Sequence, residues 1–207
     1  MMLETIHEFA REKLEGSGEA EEVRRRHAGY FLDLAEEAEP RLRGPEDVEW
    51  LERLEEEHDN LRAALSWALE RGEVELGLRL AGALWMFWNA RGHYSEGHRW
   101  LEQALAKANG ASAAARAKVL EGVGRLVFPS GEVDQALIAA HEGLELSEQA
   151  GLGGAVAARF LRILGTMAIV RGEDDRAKEL LEESLILSRE ADDKWGSQRR
   201  SYGWEIR

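Results

Sequence analysis

Gly92, Gly131 and Gly172 stand at intervals of about 40 residues, and each closes one amphipathic segment and opens a short polar turn into another. The three junctions read Asn89-Ala90-Arg91-Gly92-His93-Tyr94, Phe128-Pro129-Ser130-Gly131-Glu132-Val133 and Val170-Arg171-Gly172-Glu173-Asp174. Glycine adopts at no steric cost the left-handed conformation that ends a helix. A single helical hairpin cannot bury its own apolar face, so a unit recurring at this period must stack on its neighbours. The sequence therefore predicts an all-α chain of stacked antiparallel helix pairs. Only 3 prolines occur in 207 residues, which leaves long helices uninterrupted.

Upstream of the repeats the same periodicity holds. Val23, His27, Tyr30, Phe31, Leu34 and Ala38 form one stripe across 19–39, and Arg43-Gly44-Pro45 breaks it. Val48, Leu51, Leu54, His58, Leu61, Leu65 and Ala68 then predict one long helix ending at Arg71-Gly72. This divides the chain into N-terminal helices over 1–71, repeats over 72–193, and an irregular tail over 194–207 where the helical pattern is lost. The longest apolar run, Ala83–Trp88, falls far short of the ~20 residues that span a bilayer. With no targeting signal at Met1–Glu8, a cytoplasmic protein without membrane contact is expected.

The unit Leu161-(x)2-Leu164-Gly165-(x)2-Ala168-(x)3-Gly172-(x)4-Ala177-(x)3-Leu181 resembles a tetratricopeptide repeat. The preceding unit matches through Leu120, Val123, Gly124, Gly131 and Ala136. The one before matches through Leu84, Trp85, Trp88, Gly92, Leu101 and Ala104, with Trp85 where the motif has a small residue. The resemblance implies a right-handed superhelix whose first helices line a concave groove. Three further phrases, Leu3–Ala10, Glu57–Leu65 and Arg91–Gly97, are similar to the sensor region of bacterial STAND-type signalling ATPases, including LuxR-like transcriptional regulators. That likeness implies a nucleotide-binding module and a helix-turn-helix elsewhere in such a protein. No Gly-Lys pair exists here, hence no Walker A loop, so the chain is expected to be a fragment lacking its ATPase and DNA-binding parts.

Catalytic signals are weak. The 0 cysteines exclude a thiol nucleophile and a thiolate metal site. Gly122-Val123-Gly124 and Gly151–Gly154 follow no strand and read as packing and turn glycines. His58 falls on an apolar stripe, which makes it a core or interface histidine, and no His-Glu-x-x-His helix offers a zinc site. Runs such as Glu55-Glu56-Glu57 read as solvated faces. No enzyme, cofactor or metal is expected. The aromatic group Trp85, Phe87, Trp88, Tyr94 and Trp100 reads as hairpin interior.

Aligned on the recurring glycine, eleven positions are expected to face the groove: Arg79, Met86, Asn89, Lys118, Glu121, Arg125, Phe128, Arg159, Arg162, Thr166 and Ile169. Five of them are basic, against a formal net charge of −13. This pattern points to a locally positive channel for an acidic or carboxylate-bearing ligand, held by charge-assisted contacts. The alternative is a solvated face whose charges alternate with acids on adjacent turns. The expected role is recognition of a protein, peptide or small effector, as the sensor-scaffold part of a regulator or as a free-standing adaptor. Direct nucleic-acid binding is not expected from a chain with 40 acidic against 27 basic residues. The helix Leu3–Leu14 and the last repeat helix, with Ala177, Leu180, Leu181, Ser184 and Leu185, would each lack a partner, and self-association through one end follows.

Overall fold

Segments rich in Ala, Leu, Glu and Arg become nine α-helices among the described residues, and no strand occurs among them. In the computed structural model the described residues are 18–126 and 133–191, with Lys13 and Gly16. The expected helix Leu3–Leu14 (Lys13 apart), the Phe128–Gly131 junction and the tail over 194–207 lie outside them. The helices are α1 (Ala20–Arg41), α2 (Asp47–Glu56), α3 (His58–Arg71), α4 (Val74–Arg91), α5 (Tyr94–Ala106), α6 (Ala113–Leu126), α7 (Val133–Gln149), α8 (Gly154–Arg171) and α9 (Asp174–Glu190). No helix of the described residues is long and apolar enough to cross a membrane.

Glycine ends α3, α4 and α8 in the same way. Gly72, Gly92 and Gly172 take φ of 74°, 77° and 73°. The following amide then donates back across the turn, Glu73 to Ala68 O, His93 to Trp88 O and Glu173 to Ala168 O, each at 2.9 Å. Nothing lies within 4 Å of a Cβ placed at Gly172. Gly172→Ala is therefore expected to lower stability by about 1–2 kcal/mol through backbone conformation alone. A urea midpoint that falls with an unchanged slope would show it; an unchanged midpoint would refute it.

Helices pair in order: α1 with α3, α4 with α5, α6 with α7, α8 with α9. The first members touch in succession (α1, α4, α6, α8), and α3, α5 and α7 each reach the first helix of the next pair. Small residues permit these approaches. A Cβ on Gly165 would meet the Leu181 side chain at 2.8 Å. Trp85, at the position expected to be small, is accommodated from the other side: a Cβ on Gly122 of α6 would stand 2.9 Å from its Cβ. Gly97 of α5 does the same for Trp88 at 2.8 Å. Among the described residues Phe87, Trp88 and Phe160 are the largest fully buried side chains, each contributing on the order of 1.5–3 kcal/mol or more by area. Trp85 is buried with them, while Tyr94 and Trp100 pack partly buried against the core.

Two readings of the N-terminal stripes need correction. Tyr30 and Val48 are exposed, at 58% and 63%, because the apolar stripe is narrower than the sequence spacing implied. The single helix expected over Val48–Ala68 is two, α2 and α3, with a bend at Glu57 (φ −93°, ψ 7°). The Asn60 amide donates to the Glu57 carboxylate there at 2.7 Å. The bend turns His58 into the interior.

Candidate functional site

Lys118, Glu121 and Arg125 lie three and four residues apart and so share one face of α6; Arg159, Arg162 and Thr166 do the same on α8. Because α6 touches both α4 and α8, these faces meet. At the centre Glu121 is 3% exposed. Its carboxylate lies 3.4 Å from Arg125 Nε and 3.4 Å from Arg159 Nη1. Arg43, from the turn after α1, enters from the other side, with Nη2 3.9 Å from Glu39 and Nε donating to Met86 Sδ at 3.3 Å. Lys118 pairs with Glu39 at 2.5 Å, its stem running 3.1–3.2 Å from where a Cβ on Gly82 would sit. The Arg125 guanidinium stands 5.5 Å from the centre of the Trp85 ring.

Charge is out of balance here. Among the described residues three arginines, Arg125, Arg159 and Arg162, surround the one buried carboxylate Glu121, in a chain whose net charge is −13. The Nε atoms of Arg125, Arg159 and Arg162 are inaccessible and make no hydrogen bond among the described residues. Burial, reinforced by the neighbouring Arg125, pushes Arg162 down to about 10. Burial likewise lowers Arg43. Burial alone would raise the Glu121 carboxyl, but the guanidinium groups, Arg125 and Arg159 foremost, outweigh it and hold it below the ordinary value.

Met86, Lys118, Glu121, Arg125, Arg159 and Arg162 are thus the expected groove residues that the fold gathers. The others stand differently. Arg79 is held by a bidentate pair to Glu36 at 2.9 and 2.6 Å, and the Thr166 hydroxyl donates to Arg162 O at 2.8 Å on its own helix. Asn89 and Ile169 are exposed near helix ends, and Phe128 lies outside the described residues. Arg43 and Glu39 are the members that sequence spacing missed. They sit outside the repeats, and only their place beside the Gly44-Pro45 break marks the segment.

A second polar cluster forms where the α2–α3 bend meets the α4–α5 turn. His93 Nε2 lies 3.2 Å from both oxygens of Glu55, and the His58 and His93 rings lie 4.7 Å apart, tilted by 37°. His58 is 7% exposed, and burial lowers its pKa. Its Nε2 is 3.4 Å from Glu96, which Arg62 grips in a fork at 2.6 and 2.5 Å. That fork foremost, with the Trp100 indole as a further donor, holds the Glu96 carboxyl down to about 2. Among the described residues, Glu55, His58 and His93 bring their donor atoms close enough to hold a metal ion.

No family model matches the chain. Over 107 residues, 50% of its length, it is 40% identical to "Putative HTH-type transcriptional regulator Rv0890c" of Mycobacterium tuberculosis, and equally to "Putative HTH-type transcriptional regulator Mb0914c" of Mycobacterium bovis. The aligned stretch is 12% of each of those proteins, so the chain corresponds to a small part of its curated relatives.

Proposed function

We propose that this chain is a non-catalytic recognition module of a transcriptional regulator, and that it holds an acidic or carboxylate-bearing ligand on the face built by α1, α4, α6 and α8. The observation that carries this reading is the buried Glu121 surrounded by more positive charge than it can neutralise. Removing a cation from water costs several kcal/mol in effective terms, and that cost is met only by good counter-charges. Arg162 has no ion-pair partner among the described residues, so an incoming carboxylate would supply the charge that the fold leaves out.

The same reading takes the helix pairs as a tetratricopeptide-like right-handed superhelix, with first helices lining a groove and a cytoplasmic setting. The likeness to part of two transcriptional regulators supports a regulatory role. In a regulator of the STAND type, the ligand would act by favouring an open over a closed assembly. It can do so only to the extent that it binds the two unequally.

The test uses citrate and a hexaglutamate peptide as probes, titrated calorimetrically into the full chain and into an Arg159→Ala, Arg162→Ala double variant. At least one probe is expected to bind the unaltered chain and to lose tenfold or more in affinity in the variant. Equal affinity in both, or no binding of either probe, would refute the reading.

A further inference from the structure

We propose that Glu55, His58 and His93 form a site for a divalent transition-metal ion, with zinc the best match to two imidazoles and one carboxylate. The inference is independent of the anionic ligand above, because it rests on a different part of the fold.

The three donors come from three separately fixed points. Glu55 is in the last turn of α2, His58 is the first residue of α3 beyond the bend at Glu57, and His93 follows the left-handed Gly92 that ends α4. The hydrogen bond from His93 N to Trp88 O (2.9 Å) sets where its ring starts. One donor atom from each of the three residues lies within 4.8 Å of the other two. His93 Nε2 is 3.2 Å from Glu55, and His58 Nδ1 is 4.0 Å from Glu55 Oε1. Tetrahedral zinc with bonds of about 2.0–2.2 Å places its donors roughly 3.3–3.5 Å apart. The two separations to Glu55 bracket that value and the third is no more than 4.8 Å, so side-chain rotations moving a donor by up to about 1.5 Å would close the site.

The surroundings support ligation. A metal-bound histidine commonly donates its other ring N–H to a carboxylate, which fixes the tautomer and the ring orientation. With the ion on His58 Nδ1, the proton sits on Nε2, which lies 3.4 Å from Glu96 Oε1. In the structure that Nε2 is inaccessible and makes no hydrogen bond. Glu96 is itself locked by the Arg62 fork and by the Trp100 indole, which donates at 3.3 Å. A rotation of the His58 ring would turn this 3.4 Å approach into the outer-shell hydrogen bond to an already immobilised carboxylate.

The other side is open. Glu55 and His93 are 42% and 29% exposed, which leaves an entry path and room for a water as fourth ligand. Arg91 Nε, 3.6 Å from Glu55 Oε2, competes for the carboxylate and must yield it to the ion. Once bound, the ion would clamp the α2–α3 bend to the α4–α5 turn and so join the N-terminal helices to the first repeat pair.

The experiment titrates Co2+ and Zn2+ into the metal-free full chain, reading the visible Co2+ bands and the heat of Zn2+ binding. One ion per chain is expected, with a four-coordinate Co2+ spectrum. His93→Ala and Glu55→Ala, both at partly exposed positions, should each weaken binding by tenfold or more while leaving the metal-free circular dichroism unchanged. His98→Ala, elsewhere on the surface, should bind as the parent does. No ion bound at 100 μM metal, or equal affinity in His93→Ala and the parent, would overturn the proposal.

Discussion

Glu121→Gln is expected to lower stability while tightening anion binding, two effects of opposite sign from one substitution. Glu121 is 3% exposed and is the counter-charge shared by Arg125 and Arg159. Breaking a buried pair by removing one partner costs about 3–5 kcal/mol. The Arg125 and Arg159 side chains retain 26% exposure and regain some hydration, which favours the lower end. At about 2–4 °C per kcal/mol for a chain of this size, the melting temperature should fall by roughly 6–12 °C. Citrate should then bind the variant more tightly than the parent, because the site has lost its internal competitor. A purely structural ion pair would show the first effect without the second. The pH profile follows from the same carboxyl. Since its folded-state pKa is lowered, its contribution is present above the unfolded carboxyl value of about 4.3 and is lost as the pH falls through the folded value. Glu121→Gln should flatten that acid limb.

Gly143→Ala is expected to be severe, although alanine is the better helix former. A Cβ at this position in α7 would stand 2.1 Å from Phe160 Cε1 and 2.2 Å from Cζ. Phe160 is 1% exposed, so its ring cannot swing out to solvent and must displace packed neighbours to yield. Overpacking of this kind costs about 1–3 kcal/mol and occasionally more. With such short contacts we expect about 3 kcal/mol, partly offset by the roughly 1 kcal/mol that alanine gains over glycine in a helix interior. Gly29→Ala in α1 is the control, since nothing lies within 4 Å of its Cβ. That variant should be stabilised by roughly 0.5–1 kcal/mol. Combining Gly143→Ala with Phe160→Leu should cost less than the two single changes added together, because the smaller side chain relieves the clash. Denaturant midpoints of the four variants decide it; Gly143→Ala matching Gly29→Ala in sign would contradict the packing described for α7 and α8.

Helix content and pairing order were legible because the glycine spacing and the apolar stripes are local properties. Gly72, Gly92 and Gly172 take the left-handed conformation expected of helix-closing glycines. The bend at Glu57 was not legible, since the apolar period runs through it without a break. Trp85 shows another limit. Its fit depends on Gly122, almost 40 residues away on the next pair, and no pattern within one unit reports such a complement. The basic positions of α6 and α8 could be picked out by register, but Glu121 among them gives no sign in sequence that it is buried. Arg43 and Glu39 enter from α1 and the turn that follows it. Likewise Glu55, His58 and His93 come together only because the chain bends after α2 and turns after α4. Side chains recruited across elements depend on tertiary geometry, and one-dimensional spacing does not encode it.

The most direct measurement is a crystal structure of the full chain grown with citrate at neutral pH. The expected result is a citrate carboxylate seated between Arg43, Arg125, Arg159 and Arg162, in hydrogen-bond contact with at least two of the guanidinium groups and beside a still-buried Glu121. Citrate bound elsewhere or nowhere, with Arg125 and Arg159 still resting on Glu121 alone and no citrate oxygen within hydrogen-bond reach of any of the four guanidinium groups, would contradict the recognition role.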